Sequence, residues 1–405
     1  MTGTIISQAI PVAISPILTR LYTPEDFGMV ALFIAIASTL SVIVTLRYQL
    51  AIIQAHDAED AISLVILSVF IAAAISTISF AVIYFFNEEI QSLFTNQDIG
   101  KWLYLVPISI FVTGLYQSLN YWLTRKKIYK TIAFSKVNQG VGSSAVQIAL
   151  GGGALGALGL ISGYIIGQVV SLATLLKHGF SFRNEIKCVQ IKRIKENAIK
   201  YQVMPKYSAP GAVADNLSVQ MPIFILSKYF DMAITGIFSL TFRILNIPLS
   251  LVSGAFHQVL LQRLASISDI SSTNKIMLFI VKLFLVLLMT MVPFVILVWF
   301  YGEALFAFVF GEAWREAGAM AKMLVFAVAI RFAVSPLSAV LALERNIKTG
   351  VIWQFTYLFT ISTTLIYFSA YPVSDFIRAF VIHEIILYLL YFALILKGVN
   401  KKVLG

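Results

Sequence analysis

The sequence has few charged residues for its length and almost no cysteine. Of its 405 residues, 12% are charged and 59% are hydrophobic, whereas soluble domains carry roughly 25% charged residues. So few charges cannot cover a water-soluble surface of this size, which excludes a soluble multidomain enzyme. The single cysteine, Cys188, excludes an internal disulfide and a cysteine-rich metal site.

The residue patterns of common enzymes are also missing. There is no Gly-x-Ser-x-Gly, no phosphate-binding loop ending in Lys-Ser or Lys-Thr, and no zinc-protease helix. The histidines His56, His178, His257 and His383 lack metal-ligand spacing. We interpret them as structural or interfacial residues in loops or at helix ends. We therefore expect neither catalytic residues nor a bound metal or cofactor.

Long apolar runs are abundant instead. A bilayer core about 30 Å thick is crossed by roughly 20 apolar helical residues. Twelve runs of this kind predict an all-α polytopic membrane protein with twelve transmembrane helices. The predicted spans are Thr2–Leu18, Met29–Thr45, Ala61–Phe86, Trp102–Thr124, Tyr129–Leu150, Gly156–Leu176, Met204–Leu226, Ile234–Phe256, Ile276–Phe300, Ala317–Leu343, Val351–Tyr371 and Phe376–Leu396.

Basic residues are concentrated in alternate loops between these spans. One set of loops, which includes Arg125–Lys130 and Lys177–Lys206, holds most of the lysines and arginines behind the net charge of +11. The other set is richer in acidic residues, such as Glu88, Glu89 and Glu312. Because positive residues stay on the cytoplasmic side during insertion, the first set and both chain termini are predicted to be cytoplasmic.

The stretch 177–203 is the only long connection between predicted spans. It is basic and has no pattern of base-stacking aromatic residues. We therefore interpret it as a cytoplasmic linker at the anionic membrane surface, with membrane lipids and no nucleic acid as partner. The linker divides the chain into an N-lobe at 1–176 and a C-lobe at 204–405. We predict two six-helix lobes around a central cavity.

Prolines interrupt the first predicted span of each half. Pro11 and Pro16 lie in span one, and Pro210 and Pro222 lie in span seven. Proline removes a backbone hydrogen bond and clashes with the preceding turn, so a helix bends or unwinds there. In a membrane, broken backbone is tolerated only where protein or a water-filled cavity satisfies it. We predict that these four prolines are hinges beside the central cavity.

Several ionisable residues fall inside predicted spans or at their ends. Arg243 and Arg331 lie near mid-span, where each costs about 2.5–3.5 kcal/mol, so we expect both to face the interior of the bundle. Together with Arg47 and Lys136 they predict a cationic cavity for an anionic substrate such as a phosphate or pyrophosphate. Asp215 is an acid deep in span seven. Either an ion pair with Arg243 or an H⁺ or Na⁺ coupling site explains it.

The first sixty residues resemble a known family. The segments Gly3–Pro11, Leu18–Gly28 and Leu46–Ile52 are similar to the opening of Wzx-type flippases of the polysaccharide biosynthesis protein family. These flippases belong to the MATE/MOP exporter superfamily, which also holds multidrug exporters and the lipid II flippase. The rest of the chain resembles the family in its twelve-span, two-lobe layout. Where the family often has an acid after span two, this chain has Gln49.

The resemblance implies a transporter and not an enzyme. Its substrate would be an oligosaccharide repeat unit on undecaprenyl pyrophosphate, moved from the cytoplasmic to the periplasmic leaflet by alternating access. The product would serve O-antigen, lipopolysaccharide, capsule or exopolysaccharide assembly at a bacterial inner membrane. A polysaccharide polymerase and a chain-length regulator are then expected as partners. Because Gln49 replaces the usual acid, any H⁺ or Na⁺ coupling is expected at Asp215.

Three other functions are compatible with parts of the sequence. A multidrug or cation antiporter of the same superfamily requires an acidic cavity, whereas the charges predicted near mid-span are mainly basic. A membrane glycosyltransferase or polymerase requires a sizeable outer loop with catalytic groups, whereas the predicted outer loops are short. A scaffold for cell-envelope assembly requires no particular mid-span residue, so it should tolerate changes of Arg243 and Arg331.

Overall fold

The computed structural model describes residues 2–95, 98–153, 155–179, 190–247, 273–342 and 347–400. Nearly all of these residues are helical, and none of them lies in a β-strand. The helices in chain order are α1 (Thr2–Leu21), α2 (Pro24–Ile43), α3 (Ala51–Gln54), α4 (Ala58–Phe85), α5 (Asn87–Ser92), α6 (Ile99–Leu103), α7 (Val106–Arg125), α8 (Tyr129–Gly151), α9 (Ala157–Gly179), α10 (Ile191–Lys200), α11 (Ala209–Tyr229), α12 (Met232–Leu245), α13 (Thr273–Phe310), α14 (Arg315–Val334), α15 (Ile347–Phe368) and α16 (Val373–Asn400).

Within the described ranges, a helix lies at each of the twelve predicted span positions. Eight helical segments are long and apolar enough to cross a membrane, and Ala9–Leu21 and Met232–Leu245 are shorter apolar helices. The helices α8 and α11 hold the other two positions and carry more polar residues. The prediction of an all-α polytopic membrane protein is confirmed. Residues 248–256 of the eighth predicted span lie outside the described residues.

The motif Thr-Pro-Glu-Asp at the start of α2 is a helix-initiation signal. The Thr23 side chain accepts a hydrogen bond from the backbone N–H of Asp26 at 3.2 Å. The Asp26 carboxylate in turn accepts one from the backbone N–H of Thr23 at 2.9 Å. Pro24 occupies the first turn, where a backbone N–H would have no partner within the helix, so proline loses no hydrogen bond there. This capping box fixes the start of α2 and explains why the segment is a recognisable motif.

Close packing of α8 and α9 depends on small residues. Gly159, Gly163 and Gly167 recur every fourth residue along one face of α9. A Cβ at Gly163 would lie 2.4 Å from the Gln147 side chain, and one at Gly167 would lie 2.8 Å from the Gln139 carbonyl oxygen. Both distances are far below van der Waals contact, so only glycine permits this approach of the two helices.

The chain divides into two compact units, Met1–Gly236 and Ile237–Gly405. The boundary falls inside α12, so the first unit includes α11, which the sequence analysis assigns to the C-lobe. The lobes at 1–176 and 204–405 stay a prediction. In the second unit, α13 packs against α14, and α16 packs against both α14 and α15.

At one end of the first unit, three connections meet. The Arg125 guanidinium donates to the carbonyl oxygens of Ile52, Ile53 and Ala55 at 3.2, 3.2 and 2.7 Å. These carbonyls lie at the end of α3, where the last C=O groups of a helix have no N–H partner within the helix. Arg125 therefore ties the end of α7 to the connection between α2 and α4.

The linker helix α10 docks at the same end of the first unit. Arg193 forms ion pairs with Asp57, with Glu59 at 2.5 Å and with Asp60 at 2.9 Å, all at the start of α4. The Tyr48 hydroxyl donates to a backbone carbonyl of α10 at 2.9 Å. Burial raises the pKa of Tyr48, which keeps this phenol protonated as a donor. These contacts hold the linker against the body of the unit.

A second group of connections meets at the opposite end of the first unit. Thr95 donates its N–H to the carbonyl of Ser227 at 3.0 Å and its hydroxyl to that of Lys228 at 3.1 Å. A Cβ on Gly28 would lie 2.0 Å from the carbonyl oxygen of Met232. Within this unit, loops predicted for the same side of the membrane thus lie together. Which end faces the cytoplasm stays a prediction.

Candidate binding cavity

A polar cavity of about 400 Å³ lies inside the first unit, bounded by α2, α7, α8, α9 and the turn after α2. Its lining consists mainly of amide and hydroxyl side chains. Arg47 is its single cation, and none of its eleven lining residues is acidic. The lining residues are Ser38, Ser41, Val42, Arg47, Thr113, Tyr116, Gln117, Gln139, Tyr164, Gln168 and Ser171.

Arg47 reaches this cavity from an unusual backbone conformation. Leu46 and Arg47 have φ values of 46° and 66°, in the left-handed region that residues other than glycine rarely adopt. Such a conformation costs on the order of 1 kcal/mol or more per residue and is concentrated at functional sites. The Nε atom of Arg47 is buried and has no hydrogen-bond partner in the described part of the chain. A buried guanidinium donor on a cavity wall is suited to bind an anionic group.

A chain of neutral amides lies beside Arg47. Gln49 is buried, and its carbonyl oxygen accepts a hydrogen bond from the Thr45 hydroxyl. Its amide nitrogen donates to the side-chain oxygen of Gln117 at 3.2 Å, and Gln117 lines the cavity. At the position where the resembled family often has an acid, this chain therefore has a hydrogen-bonded amide. Because Gln49 is uncharged, it does not compete with an anionic ligand for the Arg47 guanidinium.

Further hydrogen bonds orient the polar side chains of the cavity wall. Ser109 is buried, and its hydroxyl donates to the side-chain oxygen of Gln168 at 2.9 Å. The hydroxyls of Tyr116 and Ser135 lie 3.2 Å apart. Because these groups are fixed by neighbours outside the cavity, they face a ligand in a defined orientation, which lowers the entropy cost of binding.

The other predicted ionisable residues of the first unit lie on helices that line this cavity or pack against a lining helix. Lys136 is half-buried on α8, one helical turn before the lining residue Gln139. Asp215 is exposed on α11 and directly precedes Asn216, whose side-chain oxygen accepts from Thr39 of α2 at 3.1 Å. The helix that carries Asp215 thus packs on the helix that forms one cavity wall. The roles of Lys136 and Asp215 stay predictions.

The second unit holds the other two predicted arginines. The Arg331 guanidinium carbon lies 5.7 Å from the ring centres of Phe242 and Tyr388. Arg243 follows Phe242 directly in α12, and its side chain is exposed. The contact between Phe242 and Arg331 therefore places the two arginines at the same level of this unit. The predicted pairing of Arg243 with Asp215 stays a prediction.

Glu384 is a functional candidate that the sequence analysis missed. It is only 1% exposed, and its Oε2 lies 3.9 Å from a guanidinium nitrogen of Arg331. The neighbouring His383 lies well inside α16 and is buried, so its predicted place in a loop or at a helix end is wrong. Glu384 could have been identified from the sequence, because an acid inside the predicted span Phe376–Leu396 is costly.

The predicted hinge prolines have different surroundings. The helix α1 continues through both Pro11 and Pro16. Pro210 lies in the first turn of α11, and the preceding turn, Met204–Ser208, is a π-helix. Such a wider turn accommodates a proline, which has no N–H to donate to the turn before it. Pro222 lies inside α11 and is buried. Hinge motion at these four prolines stays a prediction.

The described residues contain no group of three or more His, Cys, Asp or Glu side chains that could hold a metal ion. His257 lies outside the described residues, as does the side chain of His178. The expectation that the protein uses no cofactor, and the question of H⁺ or Na⁺ coupling, stay predictions.

The fold is that of membrane transporters of the MOP superfamily. A multidrug resistance MATE family transporter of this superfamily, solved in an inward-facing conformation, has a TM-score of 0.74 at 14% identity, and the likeness covers 100% of this chain and 96% of that chain. The lipid II flippase MurJ in an inward closed conformation has a TM-score of 0.72 at 16% identity, with 100% and 89% covered. A MOP superfamily transporter from Pyrococcus furiosus has a TM-score of 0.65 at 12% identity, with 98% and 94% covered. Identities this low show a shared fold only.

The sequence defines the family more closely. The model of a polysaccharide biosynthesis protein family matches residues 17–319, which is most of the chain, and the chain belongs to that family. The predicted resemblance to this family is confirmed. No curated protein matches the chain.

Proposed function

We propose that the protein is a flippase for lipid-linked oligosaccharides. Its substrate is a repeat unit on undecaprenyl pyrophosphate, moved by alternating access from the cytoplasmic to the outer leaflet of a bacterial inner membrane. The product supplies O-antigen, capsule or exopolysaccharide assembly. A polysaccharide polymerase and a chain-length regulator are the proposed downstream partners.

The composition of the cavity wall in the first unit carries this proposal. A pyrophosphate-linked sugar offers negative charge and many hydroxyl groups, which act as both donors and acceptors. The wall supplies one guanidinium from Arg47 for the charge. The amides of Gln117, Gln139 and Gln168 offer both donors and acceptors, as sugar hydroxyls require. Tyr116 and Tyr164 add phenol hydroxyls and ring surface on which a sugar can lie.

The lack of acidic residues in the cavity lining argues against a multidrug or cation antiporter. A cationic substrate that leaves water needs a compensating carboxylate, and none of the lining residues of this cavity provides one. A glycosyltransferase or polymerase commonly uses a positioned carboxylate or imidazole at the substrate, and the cavity lining has neither. We therefore propose that the protein transports its substrate without chemical change.

The membrane potential favours the proposed direction. With the inside of the cell negative, outward movement of an anionic head group is favoured by about 2.3 kcal/mol per charge per 100 mV. Any coupling to H⁺ or Na⁺ then contributes mainly when the empty carrier returns. We propose Asp215 for that coupling, because it lies on the helix that packs against the cavity wall.

The proposed orientation places both termini in the cytoplasm, and cysteine labelling tests it. In a Cys188→Ser background, cysteines at Glu89 and Glu312, both exposed in the structure, are expected to react with an impermeant reagent from outside. Cysteines at the exposed Lys127 and Lys192 are expected to react only after permeabilisation. A further outer site, Ala154, lies outside the described residues. Labelling of Lys192→Cys in intact cells would contradict the orientation.

Reconstitution tests the function itself. Purified protein in proteoliposomes is expected to move an undecaprenyl-pyrophosphate oligosaccharide between leaflets, measured by the access of a sugar-specific enzyme to the outer surface. The same vesicles are expected not to export a cationic dye under an imposed proton or sodium gradient. Dye export without movement of the lipid-linked sugar would replace the proposal with the cation antiporter.

A further inference from the structure

The most deeply buried acid in the described part of the second unit is Glu384. Its side chain is 1% exposed and lies near the middle of α16. An isolated carboxylate away from water is costly, so such a group persists only with partners that compensate its charge. The arrangement of those partners indicates what this acid does.

Three elements of the second unit supply groups that face Glu384. From α15, the Tyr357 hydroxyl donates a hydrogen bond to Oε1. From α14, a guanidinium nitrogen of Arg331 lies 3.9 Å from Oε2. From α16 itself, Nδ1 of His383 lies 3.8 Å from Oε1, while its Nε2 lies 3.1 Å from the hydroxyl of Thr360. The helix α13 contributes apolar residues to a core cluster that includes Tyr388 of α16.

The contact between Arg331 and Glu384 is a charge interaction without a close hydrogen bond. Its 3.9 Å separation exceeds the 2.7–2.9 Å of a charge-assisted N–H···O bond. The guanidinium also lies 5.7 Å from the rings of Phe242 and Tyr388, which attract a cation without fixing its direction. Arg331 is therefore attracted towards Glu384 without the geometry of a tight, bidentate pair in that contact.

The Arg331 and Glu384 side chains differ in their exposure. The Arg331 side chain is 18% exposed and the Glu384 side chain 1%. An anion that approaches this cluster therefore meets the guanidinium and not the carboxylate. Attraction by Glu384 opposes transfer of the guanidinium to that anion and favours its return afterwards.

We propose that Glu384 is a positioning residue that sets how tightly Arg331 holds a substrate phosphate and how readily it releases it. The inference rests on the proposed function and on the predicted contact of Arg331 with the substrate, because it takes the pyrophosphate of the lipid carrier as the competing anion. In the empty state the guanidinium lies beside Glu384, and in the loaded state the phosphate oxygens share or take it. No covalent bond changes, and the substrate leaves when the carboxylate regains its partner.

The variant Glu384→Gln tests the competition, because glutamine keeps the shape and the acceptor for Tyr357 but removes the charge. We expect about tenfold tighter binding of undecaprenyl pyrophosphate in detergent, the change that about 1.4 kcal/mol produces. For oligosaccharide movement in proteoliposomes, we expect KM and kcat both to fall about tenfold. The same change at an exposed acid, Glu312→Gln, is the matched control and is expected to alter neither value.

A second pair of variants separates positioning from a merely structural role. Arg331→Gln is expected to weaken lipid binding, and adding Glu384→Gln to it is expected to change the affinity no further. This double variant also restores neutrality if Glu384→Gln alone fails to fold. Weaker or unchanged binding by Glu384→Gln, or an equal gain in the Arg331→Gln background, overturns the inference. Failure of the wild type to bind undecaprenyl pyrophosphate overturns the proposed function instead.

Discussion

Export of surface polysaccharide is expected to fall strongly when Arg47 is changed to asparagine. Asparagine removes the only cation of the cavity wall but adopts the left-handed backbone conformation more readily than other uncharged residues. Arg47 is half-buried, with a buried Nε atom. The loss of such a charged partner for an anion costs about 2 kcal/mol, so transport should fall about thirtyfold. The measurement is surface polysaccharide in a strain that lacks the native gene, with membrane abundance determined alongside.

The chain offers a matched control for this change. Lys127 is also a basic residue with a positive φ, 59°, but it is exposed in the turn between α7 and α8. Lys127→Asn therefore repeats the change in charge and backbone preference away from the cavity, and full export is expected. Arg47→Lys should give an intermediate result, because it keeps the charge but loses the planar fork that contacts two oxygens at once. Normal export by Arg47→Asn would mean that the cavity does not bind the anion.

The helical architecture was predictable because the bilayer constrains the sequence strongly. Each crossing needs a long apolar run, and each of the twelve runs contains a helix in the described residues. Helix ends were less predictable, because hydropathy changes gradually at an interface whereas a helix begins at a specific residue. For α2 that residue is set by the hydrogen bonds between Thr23 and Asp26, and the predicted span began five residues later than the helix.

The candidate site was predictable only where it is charged. Arg331 could be found because a cation within an apolar segment is costly. Arg47 could be found because it is a cation that directly follows a predicted span. The glutamines and serines of the cavity wall are ordinary in membrane helices, and their convergence depends on how four helices pack. The role of Glu384 could not be predicted from the sequence either, because its partners on α14 and α15 are distant in the sequence.

The second large effect is expected from the arginines of the second unit. Arg243 is exposed on α12 and directly follows Phe242, whose ring contacts Arg331. We predict that both guanidinium groups bind the anion. Removing Arg331 alone leaves the buried Glu384 without its nearest cation, and such a broken pair costs about 3–5 kcal/mol. In an export assay, a variant of Arg331 alone would therefore confuse lower abundance with lost function, so the single variant is suited only to binding by purified, folded protein. The informative protein carries Arg243→Gln, Arg331→Gln and Glu384→Gln together.

This triple variant is expected to reach the membrane at normal abundance and to reduce export at least about a hundredfold, because two charge-assisted contacts to the substrate are lost. Arg331→Gln with Glu384→Gln, which retains Arg243, is the control and should keep part of the activity. A comparable substitution at an exposed pair, Arg315→Gln with Glu312→Gln, should leave export unchanged. Full export by the triple variant would show that these arginines are not part of the substrate path. A scaffold, which needs no particular charge at this level of the helices, would then explain the protein better than a flippase.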